Sequence, residues 1–232
     1  MTADISLVAD RNAHLSSSVH QKSSPALPGS PWLAYDRHVQ DIDRLSLDYQ
    51  ARYCEENVWR LLARSEFAAR RSWAVIVTSQ SGHFVALHQR AGRPGDGLVC
   101  WDYHVFAVVD DPDGTRLALD LDSDLPFPGP LARYLADSFP PMRHPPRRPI
   151  FRVIAAADYL AGLASDRSHM RQPDGSYCAP PPPWPAPGKG KSNTLPAWID
   201  VSCNAVGVLY DLPHMGDFAA ERGISGMGHS EL

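Results

Sequence analysis

Three side chains in this sequence have types and settings suited to acyl chemistry. Cys54 opens the run CEENVWRLLARSEFAARR, where Val58, Leu61, Leu62 and Phe67 recur near helical spacing and two glutamates fill the first turn. A cysteine at a helix start lies where the dipole and the free N–H groups stabilise a thiolate, and the same N–H groups can receive an oxyanion. Glu55 and Glu56 oppose this, because carboxylates facing a thiol raise its pKa, so activation calls for an imidazole nearby. His104, within WDYHVFAVV, supplies one. Strand alternation puts Asp102, His104 and Phe106 on one face, and that face has to meet Cys54.

An orienting carboxylate comes from the same stretch. Asp111-Pro112-Asp113-Gly114 suits a three-residue hairpin loop, a type I turn closed by a left-handed glycine. Asp111 then opposes Thr115, which sets His104 opposite Asp122, with Asp120 diagonal on the same face. Either carboxylate can hold the imidazole. A two-residue Asp113-Gly114 loop would shift the pairing by one and turn both carboxylates away. A buried cysteine is more often a packing residue than a nucleophile, and a strand histidine is more often part of the core or surface.

The elements that must position these residues follow from local patterning. The runs WAVIVTS, HFVALHQ, LVCWDYHVFAVVD and RLALDLD are β-like, bounded by Gly, Pro, Asp or Ser, and are expected to pair as an antiparallel sheet. LARYLADSF reads as a helix, FRVI as a strand, AADYLAGLA as a helix and AVGVLYDL as a last strand. Gln172 to Pro196 contains DGSYCAPPPPWPAPGKGKSN and must be a long loop with a polyproline portion. Residues 1–45 show no sustained period and read as a disordered or loosely attached leader, 46–220 as a single catalytic domain, and 221–232 as a flexible tail. The fold class is α/β in the α+β sense, an antiparallel sheet flanked by helices.

Bulk properties narrow the function classes. Among 232 residues, 22 Lys+Arg against 26 Asp+Glu give a formal charge of -4, which offers no basic footprint for nucleic acid or anionic lipid. No apolar run approaches the roughly 18 to 20 residues of a bilayer span. The opening residues MTADISLVAD lack a basic n-region and an apolar h-region. Four cysteines without a CxxC fit reduced thiols in the cytosol, and neither they nor the scattered histidines show paired zinc-ligand spacing.

Five segments then resemble one family. YCEENVW around Cys54, RPGDGLVCWDYHVF (Arg93 to Phe106), LDLDSDLPFP (Leu119 to Pro128), ASDRSHM (Ala164 to Met170) and PPPPWP (Pro180 to Pro185) closely resemble protein N-terminal glutamine amidohydrolases in order and spacing. The resemblance covers about Tyr53 to Pro185 and is loose beyond it. It implies a fold related to transglutaminases and papain-like proteases, and a triad of Cys54, His104 and Asp120, so that it chooses Asp120 over Asp122. It also implies hydrolysis of the side-chain amide of N-terminal glutamine to glutamate and ammonia, as in N-degron processing, with no metal or organic cofactor. The expected partners are proteins or peptides with an exposed N-terminal glutamine, met by a cytosolic monomer.

Such an enzyme must distinguish a free α-ammonium from an internal amide, and Glu55, Asp102 and Asp166 are the candidate carboxylates; helix or turn capping is the plainer role for Glu55 and Asp166. ASDRSHM reads more simply as a source of structural hydrogen bonds than as catalytic, and Trp101 and Tyr103 more simply as core residues. A transglutaminase or cysteine protease would use the same triad, and PPPPWP would suit docking to an aromatic groove of a partner.

Overall fold

The computed structural model describes residues 39–221. The expected leader up to residue 38 and the tail from residue 222 lie outside the described residues. Residues 39–45, which the sequence reading groups with the leader, pack on the domain: Val39 is buried and its N–H donates to Asp111 Oδ1 at 3.0 Å.

The chain forms a six-stranded antiparallel sheet with helices on both faces. In chain order the elements are α1 (Cys54–Leu62), β1 (Ser72–Thr78), β2 (Phe84–Ala86), β3 (Val99–Trp101), β4 (His104–Asp110), β5 (Arg116–Leu119), β6 (Gly129–Pro130), α2 (Leu131–Ser138), β7 (Ile150–Ala155), α3 (Ala156–Gly162), α4 (Leu195–Ile199), β8 (Val208–Asp211) and α5 (Leu212–Ala220). The main sheet runs β6-β5-β4-β1-β7-β8, and β2 pairs with β3 as a separate ribbon. The expected α+β class is therefore present. Among the described residues no helix is long and apolar enough to cross a membrane.

The period-2 alternation of the central strands builds two cores. Ala74, Ile76, Val105, Ala107 and Val109 pack with Val58, Leu61 and Leu62 of α1, Tyr159 of α3 and Trp198 of α4. Val75, Val77, Phe106 and Val108 face the other way, onto Leu131 and Leu135 of α2 and Met215 and Phe218 of α5. Because both faces are covered, β1 and β4 read as nearly continuous apolar runs in the sequence.

The β4–β5 hairpin has the expected register. Asp110 pairs with Arg116, Val109 with Leu117 and Ala107 with Leu119. Asp111 N–H donates to Thr115 O at 2.8 Å, Gly114 N–H to Asp111 O at 2.9 Å, and Gly114 has φ +84°. The three-residue Pro112-Asp113-Gly114 loop thus sets the pairing, with a glycine where a side chain would be strained.

The single β-like run LVCWDYHVFAVVD is two strands in two sheets. β3 pairs with β2, β4 pairs with β1, and the chain breaks direction at Asp102 and Tyr103. His104 therefore begins β4 opposite Val77 instead of lying mid-strand. Cys100 is exposed on the ribbon.

Candidate active site

Cys54 is the first residue of α1. The turn before the helix is pinned by Asn57, whose side chain accepts from Gln50 N–H at 2.8 Å and donates to Gln50 O at 2.8 Å. Arg52, between them, holds φ 70°, a left-handed conformation that costs a non-glycine residue free energy and marks the approach to the site. Tyr53 and Val58 are buried beneath, so the helix start cannot slide on the sheet.

Cys54, Trp101, Asp102, Tyr103, His104, Asp122 and His169 all line one cavity of about 230 Å³. The rest of the His104 face points elsewhere, since Phe106 belongs to the opposite core. The nucleophile candidate and the imidazole meet because α1 begins where β4 begins. The required meeting of faces is thus replaced by an end-on approach, with the Val105 N–H directed at the Cys54 sulfur.

His104 Nε2 lies 3.0 Å from Asp120 Oδ1, both groups buried. Tyr134 donates its hydroxyl to Asp120 Oδ2 at 2.8 Å, Gln89 Nε2 donates to the same oxygen at 3.3 Å, and Asp122 N–H donates to Oδ1 at 2.9 Å. Burial favours a neutral carboxyl at Asp120, but His104 and these donors outweigh it and hold the pKa below the usual carboxylate value. For His104, burial likewise opposes the charged ring, and the Asp120 charge and contact reverse the balance and raise its pKa. The Trp101 ring stacks on the imidazole with centroids 5.7 Å apart and planes 14° from parallel. Trp101 and Tyr103, read from sequence as core residues, pack against the two cores and also wall the cavity.

The Cys54 thiol has its pKa pushed well up, first by burial and then by the charges of Glu55 and Asp122, with the Val105 N–H pulling the other way. Asp122 is not the carboxylate on the imidazole: its Oδ1 accepts from Tyr49 OH at 2.6 Å.

The three candidate ammonium readers occupy three different settings. Glu55 is fully buried, bonded by Tyr103 OH at 3.0 Å and by Cys54 Sγ at 3.8 Å, and does not line the cavity. Burial, followed by repulsion from Glu56, raises its pKa to about 7. Asp102 is exposed at the cavity wall, where it also borders a second depression of about 520 Å³ shared with Tyr103 and His169. Asp166 is exposed outside the cavity lining and accepts from Ser168 N–H at 2.9 Å and Asn193 Nδ2 at 2.8 Å, which is the turn-capping role.

The ASDRSHM and PPPPWP segments support the site. Arg167 donates from Nε and Nη2 to the two oxygens of buried Glu56 at 2.7 and 2.8 Å, and Trp184 Nε1 donates to Glu56 Oε2 at 3.0 Å. Arg167 also donates to Trp184 O at 2.8 Å, so the tryptophan of PPPPWP is turned inward against α1. His169 Nε2 lies 3.1 Å from Tyr103 OH. These contacts give ASDRSHM the structural hydrogen-bonding role expected of it.

Chemically, the arrangement is one for acyl transfer through a thiol: a buried cysteine, a histidine on the same cavity, and an aspartate holding that histidine. The N-terminal glutamine amidase family matches residues 49–219. A protein N-terminal glutamine amidohydrolase from Bos taurus is 36% identical over 173 residues, 71% of this chain and 83% of that protein. That from Homo sapiens is 38% identical over 150 residues, 62% and 73% respectively. That from Drosophila willistoni is 41% identical over 144 residues, 59% and 70%. The chain belongs to the N-terminal glutamine amidase family.

Proposed function

We propose that this chain hydrolyses the side-chain carboxamide of an N-terminal glutamine in a protein or peptide, giving N-terminal glutamate and ammonia, with Cys54, His104 and Asp120 as its triad. The observation that carries the reading is the shared cavity of Cys54 and His104, with Asp120 3.0 Å behind the imidazole, in a chain of this family.

Attack is coupled to proton transfer. His104 takes the Cys54 proton as the sulfur adds to the carboxamide carbon, and N–H groups at the start of α1 receive the oxyanion. The imidazolium then gives its proton to the departing nitrogen; ammonia leaves and a thioester remains. Water, deprotonated by the same ring, cleaves the thioester and returns the proton to sulfur. Asp120 stays ionised throughout and steadies the imidazolium. The substrate's α-ammonium is read by Asp102, the candidate carboxylate that borders the cavity. Glu55 supports Tyr103 from behind, and Asp166 holds the 166–168 turn to Asn193.

The same reading carries with it a cytosolic monomer feeding N-degron processing, with one catalytic domain over about residues 46–220. The free thiols at Cys54, Cys100, Cys178 and Cys203 support a reducing compartment.

The test is mass spectrometry of a Gln-starting peptide and its N-acetylated twin, incubated with wild type and with Cys54→Ala. Amide-to-acid conversion of the free peptide by wild type alone is expected. Cleavage of internal bonds, or cross-linking to an added amine in place of deamidation, would overturn the reading.

A further inference from the structure

Asp122 is a buried carboxyl that the triad does not use, yet it lines the same cavity as Cys54 and His104. Its position is held from three sides. Its N–H donates to Asp120 Oδ1 at 2.9 Å, its carbonyl accepts from Arg90 N–H at 2.7 Å, and its Oδ1 accepts from Tyr49 OH at 2.6 Å. Among the described residues, Oδ2 takes no hydrogen bond. One ligating atom each of His104, Asp120 and Asp122 lies within 4.8 Å of the others, so the Asp122 carboxyl stands beside the imidazole in the cavity that Cys54 also lines.

A carboxylate there has a cost for catalysis. Its charge raises the Cys54 pKa, and its own burial is unfavourable. A deamidase has a use for it, because substrate and product differ only in the group placed at this point: a carboxamide with an NH₂ donor against a carboxylate with acceptors alone. A fixed acceptor with negative charge attracts the first and repels the second.

We propose that Asp122, aligned by Tyr49, is the specificity residue that accepts a hydrogen bond from the γ-carboxamide NH₂ of the substrate and expels the γ-carboxylate of the N-terminal glutamate product. This rests on the deamidation reading above. Asp122 makes the site discriminate amide from acid by hydrogen-bond polarity and charge together, a combination that rejects the wrong partner more strongly than shape does. Tyr49 matters because an acceptor discriminates only if it cannot swing away. Its hydroxyl fixes Oδ1, and the Arg90 guanidinium lies 5.0 Å from the centroid of the Tyr49 ring.

Isothermal titration of the inactive Cys54→Ala protein with a Gln-starting peptide and its Glu-starting twin tests this without turnover. The Gln peptide is expected to bind at least about tenfold more tightly. In Cys54→Ala/Asp122→Asn, where the amide nitrogen can donate to a carboxylate, the preference is expected to vanish or invert, with the Glu peptide gaining affinity. Cys54→Ala/Asp122→Ala should narrow the preference in the same direction. A gain in Glu-peptide affinity is not produced by local unfolding, which weakens both ligands. Equal binding of the two peptides to Cys54→Ala overturns the proposal, as does an unchanged preference in either double variant. Absence of ammonia release by wild type would instead sink the deamidation reading, so the two failures are separable.

Discussion

Trp184 donates its indole N–H to Glu56 at 3.0 Å, joining a proline-rich loop to the first turn of the helix that begins with Cys54. Glu56 is completely buried, and Arg167 completes its neutralisation with two hydrogen bonds. The helix that begins with Cys54 is thus locked by a charge pair as well as by apolar packing.

Breaking that pair should be expensive. Arg167→Met leaves a buried carboxylate without its cation and is expected to cost about 3–5 kcal/mol of stability. Glu56→Gln/Arg167→Met should be markedly less damaging, because no uncompensated charge remains. Thermal melts of the two variants check the order, and equal loss in both would contradict it.

Replacing Asp120 should move the pH profile in a defined direction. In wild type the Asp120 charge overcomes burial and raises the His104 pKa. In Asp120→Asn burial prevails, so the imidazole loses its proton at lower pH. The acid limb of kcat/KM should shift down while the plateau falls by roughly 10²- to 10⁴-fold. An unshifted acid limb would mean that another group sets it.

The three candidate carboxylates should separate by kinetics. Asp102→Asn is expected to raise KM for Gln-starting peptides by roughly five- to tenfold with kcat little changed, as loss of an exposed ammonium partner does. Asp166→Asn should leave KM within about twofold of wild type and act only on stability. Glu55 binds protons in the fold up to about pH 7 that an unfolded carboxyl has already released, so its burial erodes stability as pH rises from about 4.5 to 7. Glu55→Gln should flatten that slope in denaturation measured across this range, and a slope identical to wild type would refute the assignment.

The hairpin loop offers a test of geometry apart from chemistry. Deleting one residue of Pro112-Asp113-Gly114 would impose a two-residue loop, shift the pairing by one and rotate Asp120 off the His104 side. Activity should be lost even where far-ultraviolet circular dichroism shows that the sheet is retained. A deletion variant with wild-type activity would show that β5 re-registers independently of its turn.

The sequence was most informative where turn chemistry and register were local. Pro112, Asp113 and Gly114 specify their own loop type, and from it the diagonal between His104 and Asp120 followed. It was least informative at Asp102 and Tyr103, because LVCWDYHVFAVVD has strand composition throughout and nothing in its alternation marks the break that puts β3 and β4 in different sheets. Register left Asp120 and Asp122 both open and only the family resemblance chose Asp120, because the hydroxyls that separate their settings, Tyr134 and Tyr49, reach the two carboxylates from separate parts of the fold. The partners of Glu56 lie 111 and 128 residues away, so its burial could not be inferred from a position in the first turn of a helix, where an exposed capping role is the ordinary expectation.

The segment preceding α1 bears on where the molecule can be shortened. Val39 is tied to Asp111, Arg44 donates to Ser123 O at 2.5 Å and Leu125 O at 3.0 Å, and Tyr49 holds Asp122. A truncation starting at residue 46, the boundary that composition suggests, would keep the whole sheet and yet remove the Val39 tie to the β4–β5 hairpin loop and both Arg44 ties to the segment that follows Asp122, while keeping that of Tyr49. Trimming to residue 39 would keep them all. The margin between an intact carboxylate loop and a loosened one is therefore a stretch of seven residues that looks dispensable by composition.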